Sequence, residues 1–203
     1  MHEEILAQPT ANLFRKLSSY PWISEFYLAG GTALALHLGH RMSVDLDFFS
    51  TAMFDESVLI EKLLPVGDLE VFQKSMHSVT GSIDGVKYSF LGYTYPLLNK
   101  GTEFRGIAIA SIEDIACMKL DALSSRGTKR DFVDVYFICK QMPLEKLIEL
   151  FERKYASVRF NILHLKKSLV YFDDAESDAM PIMLHPVTWD EVKNFFVKNA
   201  LSL

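Results

Sequence analysis

Tyr27-Leu28-Ala29-Gly30-Gly31-Thr32-Ala33-Leu34-Ala35-Leu36-His37-Leu38-Gly39-His40-Arg41-Met42-Ser43-Val44-Asp45-Leu46-Asp47-Phe48-Phe49 is the stretch from which the rest of the chain is read. The short apolar run from Glu25 to Ala29 ends at Gly30-Gly31, the pattern of a strand entering a tight turn. Ala33 to Leu38 are strong helix formers, and Gly39 is placed to end the helix. From about Ser43 to Phe49, alternation puts Ser43, Asp45, Asp47 and Phe49 on one face and Val44, Leu46 and Phe48 on the other. Both carboxylates therefore project together from a second strand.

Outward from this unit, Ile5, Leu6, Leu13, Phe14 and Leu17 share a helical face, so a first helix is predicted from about Glu3 to Leu17, stopped by Ser18-Ser19-Tyr20-Pro21. Asp55 is the expected N-cap of a helix closed by Pro65. Leu69 to Ser78, Gly85 to Tyr93 and Gly106 to Ala110 read as strands, the first two joined by a turn at Gly81-Ser82-Ile83-Asp84-Gly85. From Ser111 helical spacing takes over, predicting helices near 112–124, 128–141, 144–155, 159–172 and 188–200. The expected class is α/β (α+β), a small mixed sheet flanked by helices over 1–110, followed by a helical subdomain over 111–203.

Composition narrows the function classes. The 203 residues are 49% hydrophobic and 23% charged, as in a folded protein and unlike a disordered one. A formal charge of -5 excludes a globally basic surface and leaves nucleic-acid contact to local patches. Cys117 and Cys139 lie in apolar helical contexts without zinc-ligand spacing, which points to buried thiols in a reducing compartment. No basic leader precedes an apolar run, and no run has membrane-spanning length; the expected location is the cytoplasm, with no membrane partner.

The chemistry follows from the opening stretch. Glycines let backbone approach a phosphate, and the following helix offers unpaired N–H groups at its positive end. Asp45 and Asp47, roughly 7 Å apart at Cα by strand geometry, can converge on a cation. Oxygen ligands favour magnesium or manganese. No GKS or GKT follows the glycines, and the third spaced glycine of a dinucleotide fold is missing, so neither the P-loop nor the Rossmann pattern applies.

Gly31-Thr32, the short helix, and Arg41-x-Ser43-x-Asp45-Leu46-Asp47-Phe48-Phe49 resemble the nucleotidyltransferase (DNA polymerase β-like) superfamily, in particular its AbiEii/AbiGii-type toxin branch. Lys119-Leu120-Asp121-Ala122, Arg126 and Lys129-Arg130-Asp131-Phe132-Val133-Asp134-Val135-Tyr136 are similar to the branch's downstream motifs, and Trp189-x-Glu191-Val192 with Phe195-Phe196 extends the likeness toward the end. The resemblance implies a magnesium-dependent enzyme that moves a nucleoside monophosphate from an NTP to an RNA acceptor, tRNA included, or a protein acceptor, acting as a toxin with a cognate antitoxin. It implies that Gly30, Gly31, Thr32, Arg41, Ser43, Lys119 and Arg126 bind the nucleotide. Asp45 and Asp47 would bind Mg2+ or Mn2+, and Asp45, Asp47, Lys119 and Asp131 would be the catalytic set.

Two departures accompany the resemblance. Thr32 stands where serine is common, keeping the hydroxyl. The third metal carboxylate expected on a later strand is missing from Val86-Lys87-Tyr88-Ser89-Phe90-Leu91, leaving Asp84 or Asp131 to compensate, or a nucleotide-binding module that works through a partner. A small-molecule nucleotidyltransferase is a third reading. Arg41 either pairs with Asp45 or Asp47 or meets phosphate. His37 and His40 read as packing or capping residues. Asp131 and Asp134 read, apart from the resemblance, as partners of Lys129 or Arg130, and the pairs Arg153-Lys154 and Lys166-Lys167 as solvated faces where RNA would be sought.

Overall fold

A computed structural model describes residues 1–200; residues 201–203, the end of the expected helical subdomain, lie outside the described residues. The first predicted helix is in two pieces, a single 3-10 turn at Glu3–Ile5 and helix α1 at Gln8–Ser18. Pro9 explains the break, because proline suits the first helical turn and disfavours helix in the residue before it. A second 3-10 turn, Pro21–Glu25, leads into β1, Tyr27–Ala29. Helix α2, Gly30–Leu38, follows without a connecting loop and ends on Gly39 in the left-handed region, whose N–H bonds the Ala35 carbonyl at 2.7 Å.

Strand β2 is Leu46–Ser50, so it begins later than its alternation predicts. Residues 41–45 spend their backbone groups elsewhere: Met42 N–H bonds the Ile182 carbonyl, Ser43 N–H the Ile5 carbonyl, and the Thr10 hydroxyl bonds the Val44 carbonyl. Asp45 is thus a loop residue and Asp47 a strand residue. Helix α3, Glu56–Leu63, is capped by the Asp55 carboxylate, which accepts from the N–H groups of Ser57 and Val58.

The stretch from 69 to 92 folds as three strands where two are predicted: β3, Leu69–Ser75; β4, Ser78–Ile83; and β5, Val86–Gly92. The tight turns fall at Met76-His77 and Asp84-Gly85, with His77, Asp84 and Gly85 at positive φ. Small polar residues in β4 mimic a turn in sequence, yet Val79 and Ile83 are buried. A further short strand, β6 at Thr102–Phe104, pairs with β7 at Ile107–Ile109.

Among the described residues, the seven strands form one mixed sheet in the order β3-β4-β5-β2-β1-β7-β6. The parallel pairs are β2 with β5 and β1 with β7; the others are antiparallel. One face carries the main aromatic core, where Phe48 and Phe90 stack at 4.9 Å and Phe26 meets Phe90 edge-on at 4.9 Å. Such pairs add about 0.5–1.5 kcal/mol each beyond their buried area.

The helical region comprises α4 (Ile112–Ser125), α5 (Lys129–Ile138), α6 (Leu144–Lys154), α7 (Ile162–Ser168), α8 (Asp173–Glu176) and α9 (Trp189–Ala200). Ser111 and Thr128 cap α4 and α5, their hydroxyls accepting from the N–H groups of Asp114 and Asp131. The predicted helix over 159–172 is shorter, beginning after the Asn161 cap. Helix α4 is the hub, packing against α2, α5, α6 and α7. Through α2 it is tied directly to the glycine turn.

Lys154 corrects the solvated-face reading: it is buried, donating to Asp114 Oδ1 at 2.7 Å and to the Pro96 carbonyl at 2.8 Å. Asp114 also accepts from the N–H groups of Leu98 and Asn99, so this ion pair pins the segment between β5 and β6 onto α4 and α6. Burial pushes the thiols of Cys117 and Cys139 up to about 12, which leaves them protonated. Among the described residues, no helix is long and apolar enough to cross a membrane.

Candidate active site

Gly30 lies at the junction of β1 and α2 with φ +67°, and a β-carbon there would sit 2.9 Å from Asp47 Oδ2. A β-carbon on Gly31 would sit 2.3 Å from Arg41 Nη2. The glycine pair therefore lets the start of α2 lie against a carboxylate on one side and a guanidinium on the other. Ala29 at the N-cap offers no side-chain acceptor to the first N–H groups of this helix.

Asp47 projects from β2, opposite Ser89 of β5 in the parallel ladder. The Ser89 hydroxyl donates to Asp47 Oδ1 at 2.6 Å. Asp45, on the preceding loop, has Oδ2 at 3.8 Å from Arg130 Nη1. Both acids line the same cavity, of about 230 Å³, with Thr32, Lys119, Arg126 and Arg130. A second cavity, about 300 Å³, shares Asp47, Lys119 and Arg126 and extends over Phe49, Tyr93, Met118 and Asp121. Burial raises the Asp121 carboxyl above its ordinary range.

Ser89 occupies the strand position beside Asp47 where a third carboxylate is sought. Asp84 is no substitute: at the β4–β5 turn it binds Lys16 at 2.6 Å and the Asp68 N–H at 2.9 Å. Among the described residues, no group of three or more His, Cys, Asp or Glu is arranged to hold a metal. Of the acids lining the cavity, Asp131 is committed to Lys119, Thr128 and Arg126, which leaves Asp45, only loosely paired, and Asp47. This donor set fits magnesium, which binds through one or two carboxylates and completes its octahedron with phosphate oxygens and water.

Behind the cavity lies a buried charge cluster. Asp134 takes a two-pronged bond from Arg41, Nε to Oδ1 at 2.7 Å and Nη2 to Oδ2 at 2.8 Å. Lys119 Nζ lies 2.7 Å from Asp134 Oδ2 and donates to Asp131 Oδ1 at 2.8 Å. Asp131 Oδ2 accepts from the Thr128 hydroxyl at 2.6 Å and from Arg126 Nε at 3.4 Å. His40 Nε2 is 2.8 Å from Asp134 Oδ1, so it carries the proton and donates, because an ionised carboxylate only accepts.

Several expectations change here. Arg41 pairs with Asp134, not with Asp45 or Asp47. Neither Asp131 nor Asp134 pairs with Lys129 through an ion pair; Lys129 Nζ donates to the carbonyls of Glu176 and Asp178. The Asp131 carboxylate is spent on Lys119, Thr128 and Arg126. The Thr32 hydroxyl bonds Ser43 Oγ at 2.7 Å and the Asp45 carbonyl, bracing the loop that carries Asp45. Lys119 is buried. Asp134 and His40 are the residues sequence reasoning underrated, and the clue was an acid three residues from Asp131 beside an apolar stripe.

Electrostatics maintain the cluster. Burial pushes the Lys119 ammonium down, but Asp134 and Asp131 overcome it and hold its pKa above the ordinary value. Burial likewise opposes ionisation of Asp134, and Lys119 and Arg41 override it, holding the carboxyl well below 3.8. Burial holds His40 below 6.5 despite Asp134, and is the main cause of the same shift at His37.

Acidification should therefore destabilise the fold in two stages. Both histidines are neutral when folded and take protons near 6.5 when unfolded, so the unfolded chain binds more protons as pH falls through that value. Asp134 adds a loss below 3.8, completed only as pH falls through its lower folded pKa. The urea midpoint is expected to drop between pH 7 and pH 5, a change that should shrink in a His40→Gln variant; a midpoint flat across that range contradicts the assignment.

A helix entered through Gly30-Gly31 beside Asp47 on the neighbouring strand and Asp45 on the loop before it, at the centre of a mixed sheet, defines the nucleotidyltransferase fold. Solved structures share it: JHP933 from Helicobacter pylori, with 21% identity, TM-score 0.56, and 97% of this chain and 92% of that chain covered; and MenT4, a nucleotidyltransferase toxin from Mycobacterium tuberculosis H37Rv, with 16% identity, TM-score 0.55, and 97% and 86% covered. The antibiotic-resistance factor ANT(2'')-Ia matches at 15% identity and TM-score 0.54 over 71% of this chain and 92% of that chain.

The chain belongs to the AbiEii nucleotidyltransferase toxin family of Type IV toxin–antitoxin systems, whose model matches residues 12–97 and 71–201. It is a transferase enzyme by that membership. An uncharacterized protein of Aquifex aeolicus (strain VF5) is 38% identical over 191 residues, covering 91% of each chain.

Proposed function

We propose that the protein transfers a nucleoside monophosphate from an NTP to an RNA acceptor, in a cleft between an α/β subdomain over 1–110 and a helical subdomain over 111–203. The observation that carries the reading is the opening of Asp45 and Asp47 into one cavity with the start of α2, Lys119 and Arg126. Asp45 and Asp47 would hold Mg2+ or Mn2+, which when bound supplies charge neutralisation at the phosphates.

The chain's own groups do the rest. The N–H groups at the start of α2 and the exposed Arg126 guanidinium receive the triphosphate. Lys119, fixed by Asp131 and Asp134, contributes a positive charge whose position is set before substrate arrives. Thr32, Ser43 and Arg41 hold the Asp45 loop and the glycine turn in register. Phe49 and Tyr93 offer aromatic walls to the nucleoside. The acceptor hydroxyl oxygen forms the new bond to the α-phosphorus, the bond to the β-phosphate's bridging oxygen breaks, and pyrophosphate leaves; the hydroxyl proton passes to water.

As a family toxin acting in the cytoplasm, the protein would be restrained by a cognate antitoxin. The test is incubation with each α-labelled NTP, magnesium or manganese, and total RNA. Label is expected in RNA, for a preferred NTP and only with a divalent cation; absence of transfer with every NTP and acceptor contradicts the reading. Ser89 beside Asp47 favours one second reading, a nucleotide-binding module acting through its partner. Calorimetry separates the two, since saturable NTP binding without transfer supports the module.

A further inference from the structure

A third cavity, about 290 Å³, shares Asp45 and Asp47 with the cleft but none of its basic residues. Its other walls include Phe72, Thr80 and Lys87. Strand register lays Asp47, Ser89 and Thr80 in one row across β2, β5 and β4, so polar groups lead from the carboxylate toward the edge strand β3. There the ladder slips: Val71 pairs with Gly81 and Gln73 with Thr80, which leaves Phe72 as the extra residue of a bulge. Bulges bend a strand and re-aim the side chain they carry.

Phe72 lines the cavity while remaining 54% exposed, and among the described residues it has no aromatic partner. Lys87 is exposed and, among the described residues, its ammonium has no hydrogen bond or ion pair. A bare phenyl face and an uncommitted ammonium thus border one hollow that reaches the acids of the transfer site.

We propose that this hollow docks the 3′-terminal nucleotides of a single-stranded RNA acceptor, a base stacking on Phe72 and a backbone phosphate meeting Lys87, so that the terminal hydroxyl is presented at Asp45 and Asp47. The proposal rests on the transfer reading of the same site. Base stacking on an exposed ring tolerates any sequence and needs only the ring's face. An extended peptide adding to β3 would need a regular edge ladder, which the bulge interrupts. A footprint of a few nucleotides also suits a chain of net charge -5, because few phosphates must be neutralised.

The test is fluorescence anisotropy of a 5′-labelled single-stranded RNA oligonucleotide with the full chain, without NTP, beside calorimetry of NTP binding to the same variants. Phe72→Ala is expected to weaken RNA binding roughly tenfold and Phe72→Trp to restore it. Lys87→Gln should weaken it several-fold and reduce the salt slope by about one. NTP binding should be unchanged in all three. RNA binding absent in the wild type, or equal in the wild type, Phe72→Ala and Lys87→Gln proteins, overturns the proposal. RNA binding with the expected pattern but no transfer with any NTP supports the docking surface and refutes the transfer reading. Transfer of label into protein at the same rate with and without Phe72 overturns the RNA assignment.

Discussion

Alanine at position 134 is expected to destabilise the protein by about 3–5 kcal/mol, the range for removing one partner of a buried ion pair. The cluster is balanced as it stands: Arg41 and Lys119 carry two positive charges, Asp131 and Asp134 two negative ones, and His40 is neutral. Without Asp134, Lys119 keeps Asp131, but Arg41 keeps, among the described residues, only the Met42 carbonyl at 3.0 Å as a hydrogen-bond acceptor. A guanidinium only 4% exposed then loses its directly bonded carboxylate, with Asp131 and Asp45 acting on it only at longer range. For a chain of 203 residues the loss corresponds to a fall in Tm of roughly 10 °C. Thermal unfolding followed by circular dichroism measures it. An Arg41→Met, Asp134→Leu double variant should recover part of the loss, because it removes both charges together; an Asp134→Ala protein within 1 kcal/mol of wild type, roughly, contradicts the charge accounting.

The second large effect is on transfer. Asp47→Asn keeps the shape of the side chain and its capacity to accept from Ser89 Oγ, but removes the negative charge of the carboxylate that lies against Gly30. If the carboxylate holds a cation that neutralises the phosphates, several kcal/mol of transition-state stabilisation are at stake. That is a loss of roughly a thousandfold in the rate of label transfer, with Tm nearly unchanged. Asp45→Asn should act in the same direction and also free Arg130 from its long contact at 3.8 Å. The stability control matters, since the Asp134 variant would lose activity through the fold and the Asp47 variant would not.

The difference between these residues also marks how far the sequence could be read. Gly30, Gly31, Asp45 and Asp47 are close together in the chain, so spacing alone brings them near one another, and the parts of β1, α2 and β2 emerge from local propensity. The fold class emerges likewise. The Arg41–Asp134 pair spans 93 positions and the Lys154–Asp114 pair 40, and in neither do the neighbours in sequence identify the partner. Their partners are decided by packing of α4 against α2, α5 and α6, which no local pattern records. β4 is hidden for another reason: Gly81 and its small polar neighbours resemble a turn, yet Gly81 is needed where a β-carbon would meet the Glu70 carbonyl at 2.0 Å and the Tyr88 hydroxyl at 2.7 Å. The missing acid near Ser89, in contrast, is visible in the sequence, and the register explains its significance by setting Ser89 against Asp47.

The most direct measurement is the affinity of an NTP for the wild-type and Asp47→Asn proteins by calorimetry, with manganese present and with the cation removed by chelation. The wild type should bind NTP tightly with manganese and at least about tenfold more weakly without it, a difference of roughly 1.4 kcal/mol or more, while Asp47→Asn should show the weak affinity under both conditions. Equal affinity for both proteins, with or without the cation, would contradict a metal–nucleotide site at Asp45 and Asp47.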